Sequence, residues 1–243
     1  MELGGRVAIV TGGAVRLGKA LALALAGEGA RLALHYNSSA GPAEASVAEI
    51  RALGSEAVAL QADLSRSDQA ASIVERAAQH FGGLDVLLNS AAIFEPADLA
   101  HTTEAAWDRH FAINLKLPFF LAQAFAAQVG KEQVAHIVSI ADWRGDRPDP
   151  ATLAYSLTKA GIISLTRALA LALAPNIQVN AIAPGAILPP PGRDQAYLDG
   201  LAQDIPLGRV GSPADVAGAL IYLLRSEFVT GETVFVTGGE QLA

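Results

Sequence analysis

The sequence has no cysteine. Disulfides, iron–sulfur clusters, thiolate zinc sites and a cysteine nucleophile are therefore excluded. Its five histidines are scattered without a paired metal-ligand spacing, so no metal site is expected. Charge is also scarce. Charged residues make up 17% of the chain, and 24 acidic against 17 basic residues give a net charge of −7. Phosphate backbones are bound by clustered lysine and arginine, so no nucleic-acid partner is expected, and any anionic ligand must be held by local donors. No apolar run approaches the ~18–20 residues of a membrane span. The start, MELGGRVAIVTGG, lacks the basic-then-apolar order of a secretory signal. The sequence thus reads as cytoplasmic, with no membrane partner. What is plentiful is apolar side chain, 51% of 243 residues, enough for a large core without covalent staples.

Seven short β-like runs punctuate the chain: Arg6–Thr11, Arg31–Tyr36, Glu56–Gln61, Leu84–Asn89, Val134–Ile140, Ile177–Ala181 and Thr233–Val236. Segments of helical length, rich in Ala, Leu and Glu, separate them. The alternation predicts one domain over residues 1–243. Its fold class is α/β and doubly wound, a seven-stranded, mainly parallel sheet with helices on both faces. Ala20–Ala26 and Ala168–Ala174 both read ALALALA and alternate like strands. Ala and Leu are strong helix formers, and Leu17, Leu21 and Leu25 share one helical face, so both segments are expected to be helix. The proline-rich stretch Leu188–Gly192 is expected to be irregular, since consecutive prolines neither join a ladder nor continue a helix.

The first strand runs into Thr11-Gly12-Gly13-Ala14-Val15-Arg16-Leu17-Gly18 and then a helix. Glycines permit a tight turn and close approach of a diphosphate, and the helix start supplies free N–H groups. An ordinary strand–helix loop is the plainer alternative. Far downstream, Tyr155-Ser156-Leu157-Thr158-Lys159 sets a phenol and an ammonium at i and i+4, on one helical face. A neighbouring cation favours phenolate, so Lys159 is expected to lower the Tyr155 pKa and tune it as a proton donor.

Together the turn, the YxxxK pair and Val179–Gly185 (VNAIAPG) resemble the short-chain dehydrogenase/reductase pattern, a Rossmann fold, across essentially the whole chain. The turn reads TGxxxRxG, with Arg16 where the superfamily usually has its middle glycine. That departure, and the string His35-Tyr36-Asn37-Ser38-Ser39 at the end of the second strand, resemble the pteridine reductases. No acidic residue follows Tyr36 to hold ribose hydroxyls, as NAD sites usually require. Hydroxyl and amide donors can instead hold a 2′-phosphate, so NADPH is the expected cofactor. A helix cap at Ser38 or Ser39 is a compatible second role.

The resemblance implies further roles. Asp63 and Leu64 would meet the adenine. Asn89, Ser90 and Ala91 stand where the family has its NNAG segment. Pro184, Gly185 and Ile187 would flank the nicotinamide, with Pro189 replacing the family's Thr. Asn114 would hold a water near Lys159. Phe94 would stack on a pterin ring, and Trp143 and Tyr197 would line the pocket or merely pack. Most relatives carry a serine thirteen residues before the tyrosine, donating to a substrate carbonyl. Here that position is Asp142. Two unit charges at ~4 Å in an effective dielectric of ~20 repel by about 4 kcal/mol, roughly three decades of rate, so an ionised Asp142 opposes an oxyanion. Either it carries a proton, or the substrate presents N–H groups, as a pterin does. Ser139 is a stand-in at the wrong spacing.

The implied function is NADPH-dependent reduction of a pterin-like small molecule by a homotetramer. Asp142, Tyr155, Lys159 and Asn114 would be its catalytic set, and Arg16 would face cofactor and substrate. A 3-oxoacyl thioester or general carbonyl reductase is the alternative. A non-catalytic dinucleotide sensor is the third reading, and it needs none of Tyr155, Lys159 or Asn114.

Overall fold

The computed structural model describes residues 1–190 and 192–243. Its strands are β1 (Val7–Val10), β2 (Arg31–Tyr36), β3 (Ala57–Gln61), β4 (Val86–Asn89), β5 (Ala135–Ile140), β6 (Ile177–Pro184) and β7 (Thr233–Val236). They form one sheet in the order β3-β2-β1-β4-β5-β6-β7, parallel at every pairing. Its main helices are α1 (Arg16–Gly27), α2 (Ala40–Ala52), α3 (Ser67–Phe81), α4 (Glu104–Phe111), α5 (Leu117–Ala126), α6 (Leu153–Leu173), α7 (Gln195–Leu201) and α8 (Pro213–Arg225).

Central parallel strands are covered on both faces and so read as unbroken apolar runs. β1 is VAIV and β4 is VLLN, every residue buried. Alternate side chains enter opposite layers. Ala8 and Val10 join Leu21 and Leu25 of α1, Val47 of α2 and Leu220 of α8. Val7 and Ile9 join Ile73 of α3 and Leu121 and Phe125 of α5. Ile162 and Ile163 of α6 pack in a smaller cluster with Ala141, Ala181 and Ala183.

The expected strands are all present, several of them a residue or two shorter than read. β6 is longer, because its ladder with β7 continues to Pro184 opposite Val236. Both ALALALA segments are helical. The second stops at Leu173, since Ala174 precedes Pro175 and takes an extended conformation. Leu188–Gly192 is irregular as expected where described, Pro191 lying outside the described residues. One expectation needs correction. Pro150–Leu173 contains an 18-residue stretch of mean hydropathy 1.3 and is, by length and composition only, long and apolar enough to cross a bilayer. Here α6 packs instead against β6 and carries the buried Lys159.

The chain leaves β1 toward β2 and β3, then returns to place β4 on the other side of β1. Connections diverge at that reversal and open a crevice at the carboxyl ends of the strands.

Candidate active site

A cleft of about 440 Å³ occupies this crevice. It gathers residues from distant parts of the sequence: Gly12, Arg16, Leu17 and Gly18; His35 and Asn37; Asp63 and Leu64; Ser90 and Ala91; Asp142, Tyr155 and Lys159; Pro184, Gly185 and Ile187. Tyr36, Ser38, Ser39, Asn89, Asn114, Phe94 and Trp143 do not line it.

The glycine turn is shaped by contacts as well as by flexibility. Gly12 adopts a left-handed backbone, φ 65°. A Cβ on Gly18 would run into the Gly12 carbonyl oxygen, so only glycine lets α1 start this close to β1. No side chain caps α1 and no acidic residue sits in its first turn, which leaves its first N–H groups free for an anion. Thr11, absent from the expected site, accepts the N–H groups of Ser90 and Ala91 on its hydroxyl, at 2.9 and 3.0 Å, and so joins the ends of β1 and β4. Arg16 also has a left-handed backbone, φ 53°, where a side chain costs about 1–2 kcal/mol and the family's usual glycine would not. Its guanidinium donates to the Pro189 carbonyl at 2.7 Å, across from the turn. These features fit a dinucleotide diphosphate.

His35 lines the cleft, but its ring serves the backbone. Nδ1 accepts from Gly12 N–H at 3.1 Å, and Nε2 lies 3.1 Å from the Ala62 carbonyl. Burial pushes its pKa down to about 4, the Ala62 contact partly opposing. It brings no positive charge to a phosphate at neutral pH. Ser39 heads α2 without a side-chain cap bond, contrary to the capping role considered for it. Asp63 faces the cleft with Oδ1 accepting from the Ser65 amide and hydroxyl. Asn89 donates to the Ser139 hydroxyl inside the fold, so neither is presented to a ligand by that contact.

Tyr155 and Lys159 share the buried face of α6. The Tyr155 hydroxyl donates to Asp142 Oδ2 at 2.9 Å. Asp142 Oδ1 accepts the Arg144 N–H at 2.8 Å, with the Arg144 guanidinium 3.5 Å away and also 3.4 Å from Asp149. Gly145 permits this arrangement: a Cβ there would lie 2.7 Å from the Lys159 backbone, forcing the Asp142 loop off α6. Lys159 Nζ donates to the Ile140 carbonyl at 2.7 Å and stands 5.5 Å from the Tyr155 ring centre. The expected lowering of the Tyr155 pKa is therefore overturned. Burial first, then the Asp142 carboxylate, hold the phenol well above its ordinary value near 10. Burial lowers Lys159 to about 8, with Asp142 opposing.

Asn114 sits in a π-helical turn, Ala112–Lys116, between α4 and α5. Its amide accepts from Ile93 N–H at 2.9 Å and donates to the Ile93 carbonyl and the Thr158 hydroxyl. It braces the loop after β4 against α6, with both amide hydrogens committed. Phe94 meets the Tyr155 ring edge-on, centroids 4.8 Å apart. His110, buried and unflagged by any sequence motif, lies 6.5 Å from the same ring and accepts from the Glu95 amide. Trp143 packs under the Arg144 guanidinium. Tyr197 lies on α7 under Arg193, away from the cleft lining. Arg144 was legible only as the neighbour of Asp142.

A third histidine, His136 on β5, is buried with both ring nitrogens unpartnered among the described residues. Burial, then the N-terminal charge, lowers its pKa to about 4. Well above pH 6.5 both His35 and His136 are neutral whether folded or not. As pH falls from 6.5 to 4, only the unfolded chain takes up these protons, so stability drops by up to about 3 kcal/mol per histidine. The urea midpoint should fall across this window, and His136→Leu should remove roughly half of the histidine-linked fall. Parallel pH curves for the two proteins would rule the account out.

The family model described as enoyl-(acyl carrier protein) reductase matches residues 13–241. An uncharacterized oxidoreductase of Methylorubrum extorquens is 37% identical, covering 98% of each chain. The 3-oxoacyl-[acyl-carrier-protein] reductase FabG of Staphylococcus epidermidis is 35% identical, covering 96% of this chain and 97% of its own. A solved structure of FolM alternative dihydrofolate reductase 1 from Brucella canis, complexed with NADP, superposes with a TM-score of 0.95. It is 33% identical and covers 100% of this chain and 96% of its own.

Proposed function

The chain belongs to the short-chain dehydrogenase/reductase superfamily, and from that premise we propose that it reduces a pterin with NADPH, taking a dihydropterin to a tetrahydropterin. One observation carries the reading: the Tyr155 hydroxyl donates to the carboxylate of Asp142 at 2.9 Å. A carbonyl reductase needs a neutral donor at that position for a developing oxyanion, which a carboxylate would repel by about 4 kcal/mol. A pterin instead offers N–H groups that a carboxylate accepts and ring nitrogens that take a proton.

Bound NADPH would supply the hydride to a ring carbon. The glycine turn, Asn37, Asp63, Ser90, Ala91 and Pro184–Ile187 would hold the dinucleotide, with Arg16 beside its phosphates. Tyr155 holds the proton destined for the substrate, and Asp142 holds the phenol in place and relays or accepts protons. Lys159, anchored on Ile140, lends positive charge below the phenol. Phe94, outside the cleft lining but edge-on to Tyr155, would offer an aromatic face to a ring bound beside that tyrosine. The dihydrofolate reductase of Brucella canis supports this reading.

A carbonyl-reducing activity on 3-oxoacyl thioesters is the second reading, favoured by the Staphylococcus relative. One experiment weighs both. Purified wild type and Arg16→Gly are assayed with NADPH and NADH on dihydropterin and on a 3-oxoacyl thioester. The wild type should give the higher kcat/KM with NADPH and dihydropterin. Arg16→Gly should lower the NADPH preference about tenfold, the loss of one charge-assisted contact. Its stability should stay within ~1 kcal/mol, because relief of the left-handed strain offsets the freer unfolded chain. A higher kcat/KM on the thioester would reverse the substrate reading, and an undiminished NADPH preference would remove Arg16 from the cofactor site.

A further inference from the structure

Glu240 follows β7 and heads a short 3-10 turn, Glu240–Leu242. Its Oε2 accepts the Ala186 N–H at 3.0 Å. Ala186 lies between Gly185 and Ile187, both of which line the cleft. The carboxylate nests against this segment so closely that a Cβ on Gly185 would run into Oε2, and would also come within 3.0 Å of Thr237 Cα. Gly185 is not among the glycines with a left-handed backbone. Its need for glycine is therefore steric: it makes room for the Glu240 carboxylate and for the Thr237 backbone.

Two backbone bonds hold the same segment, Gly185 N–H to the Val236 carbonyl at 3.0 Å and Gly211 N–H to the Ala186 carbonyl at 2.9 Å. Glu240 supplies a third through a side chain, and a hydrogen bond to a charged acceptor is the stronger kind. Burial pushes the Glu240 carboxyl above its usual range, with the Ala186 donor and the Arg144 charge opposing. A carboxylate half-withdrawn from water is costly unless it has a task.

We propose that Glu240 is a positioning residue for the dinucleotide: by gripping the Ala186 amide it fixes the Pro184–Ile187 wall of the cleft and so sets cofactor affinity without touching the cofactor. The proposal rests on the dinucleotide reading of the cleft. Removing the carboxylate frees the Ala186 N–H and takes one hydrogen bond from that wall. The wall then samples positions that narrow or widen the site, and binding must reorder it.

The test uses the full chain with Glu240→Ala, Glu240→Gln, Gly185→Ala and the Gly185→Ala/Glu240→Ala double variant. Amide exchange without nucleotide reports on the wall, and fluorescence titration gives the NADPH Kd. Glu240→Ala should speed exchange in peptides covering Gly185–Ile187 and raise the Kd about tenfold. Glu240→Gln, which keeps an acceptor oxygen, should restore most of both. Gly185→Ala, whose methyl displaces the carboxylate, should weaken binding by a similar factor, and the double variant should be little worse than either single one. Should Glu240→Ala not fold, Gly185→Ala and Glu240→Gln decide the matter alone. Unchanged exchange in the variants, faster exchange with unchanged Kd, or fully additive losses would each overturn the proposal. A wild type that binds neither NADPH nor NADH would sink the cofactor reading and this proposal with it. Exchange data, taken without nucleotide, tell that failure from a wall that Glu240 never held.

Discussion

Tyr155→Phe should lower kcat by 10²–10⁴-fold, the usual range for a positioned acid, while NADPH still binds. The substitution removes one oxygen and keeps the ring, which meets Phe94 and His110 edge-on and lies within reach of the Lys159 charge. The cleft keeps its shape. What disappears is the proton that the buried hydroxyl holds at 2.9 Å from Asp142. Its pKa is held high by burial and by that carboxylate, so at neutral pH the hydroxyl is fully protonated and available as a donor. The variant leaves Asp142 Oδ2 without its donor, which should cost about 1–3 kcal/mol of stability. A melting curve beside the kinetics separates that loss from the catalytic one. Single-turnover rates near those of the wild type would show that Tyr155 is not the proton donor.

Asp142→Ser should act in opposite directions on two substrates. Serine is a competent cap, so the Arg144 N–H keeps an acceptor and the short turn at Trp143–Gly145 keeps its start. The Arg144 guanidinium keeps Asp149. The loop therefore stays in place while the charge beside Tyr155 disappears. Dihydropterin reduction should fall by 10²–10⁴-fold as the acceptor and relay are lost. Reduction of a simple activated ketone should hold or improve, since the ~4 kcal/mol repulsion of an oxyanion is lifted and a neutral donor takes its place. Both rates come from one pair of proteins, measured as kcat/KM with saturating NADPH. Retained pterin turnover with lost ketone turnover would transfer the protein to carbonyl chemistry.

Much of this molecule is legible in its residues, because the rules involved are local. A parallel strand buried on both faces reads as a near-continuous apolar run: VAIV is one throughout, VLLN up to Asn89, and RLALHY from Leu32 to Leu34. A spacing of four on a helix puts two side chains on one face, so Tyr155 and Lys159 were bound to be neighbours once α6 formed. The spacing from Gly12 to Gly18 announced a close strand–helix turn, and Asp142 was visible as a departure from its relatives.

The rest depends on atoms brought together from far along the chain. Helical spacing says which face Lys159 shares with Tyr155, but not that its ammonium turns to the Ile140 carbonyl. That leaves burial and Asp142 to govern the phenol, with the opposite sign to the one expected. The string that begins at His35 offered that ring as a cofactor contact, yet the ring is absorbed by Gly12 and Ala62, partners that only the sheet order supplies. Arg16 looked like an added charge, and only its backbone angle reveals that the charge is kept at the expense of strain. Glu240 carried no motif, since its partner Ala186 is 54 residues earlier. Pattern and spacing determine fold, turn and facing pairs because they act within a few residues. Titration, orientation and clamping were decided by the tertiary structure, because each sums burial and hydrogen bonds over several elements at once.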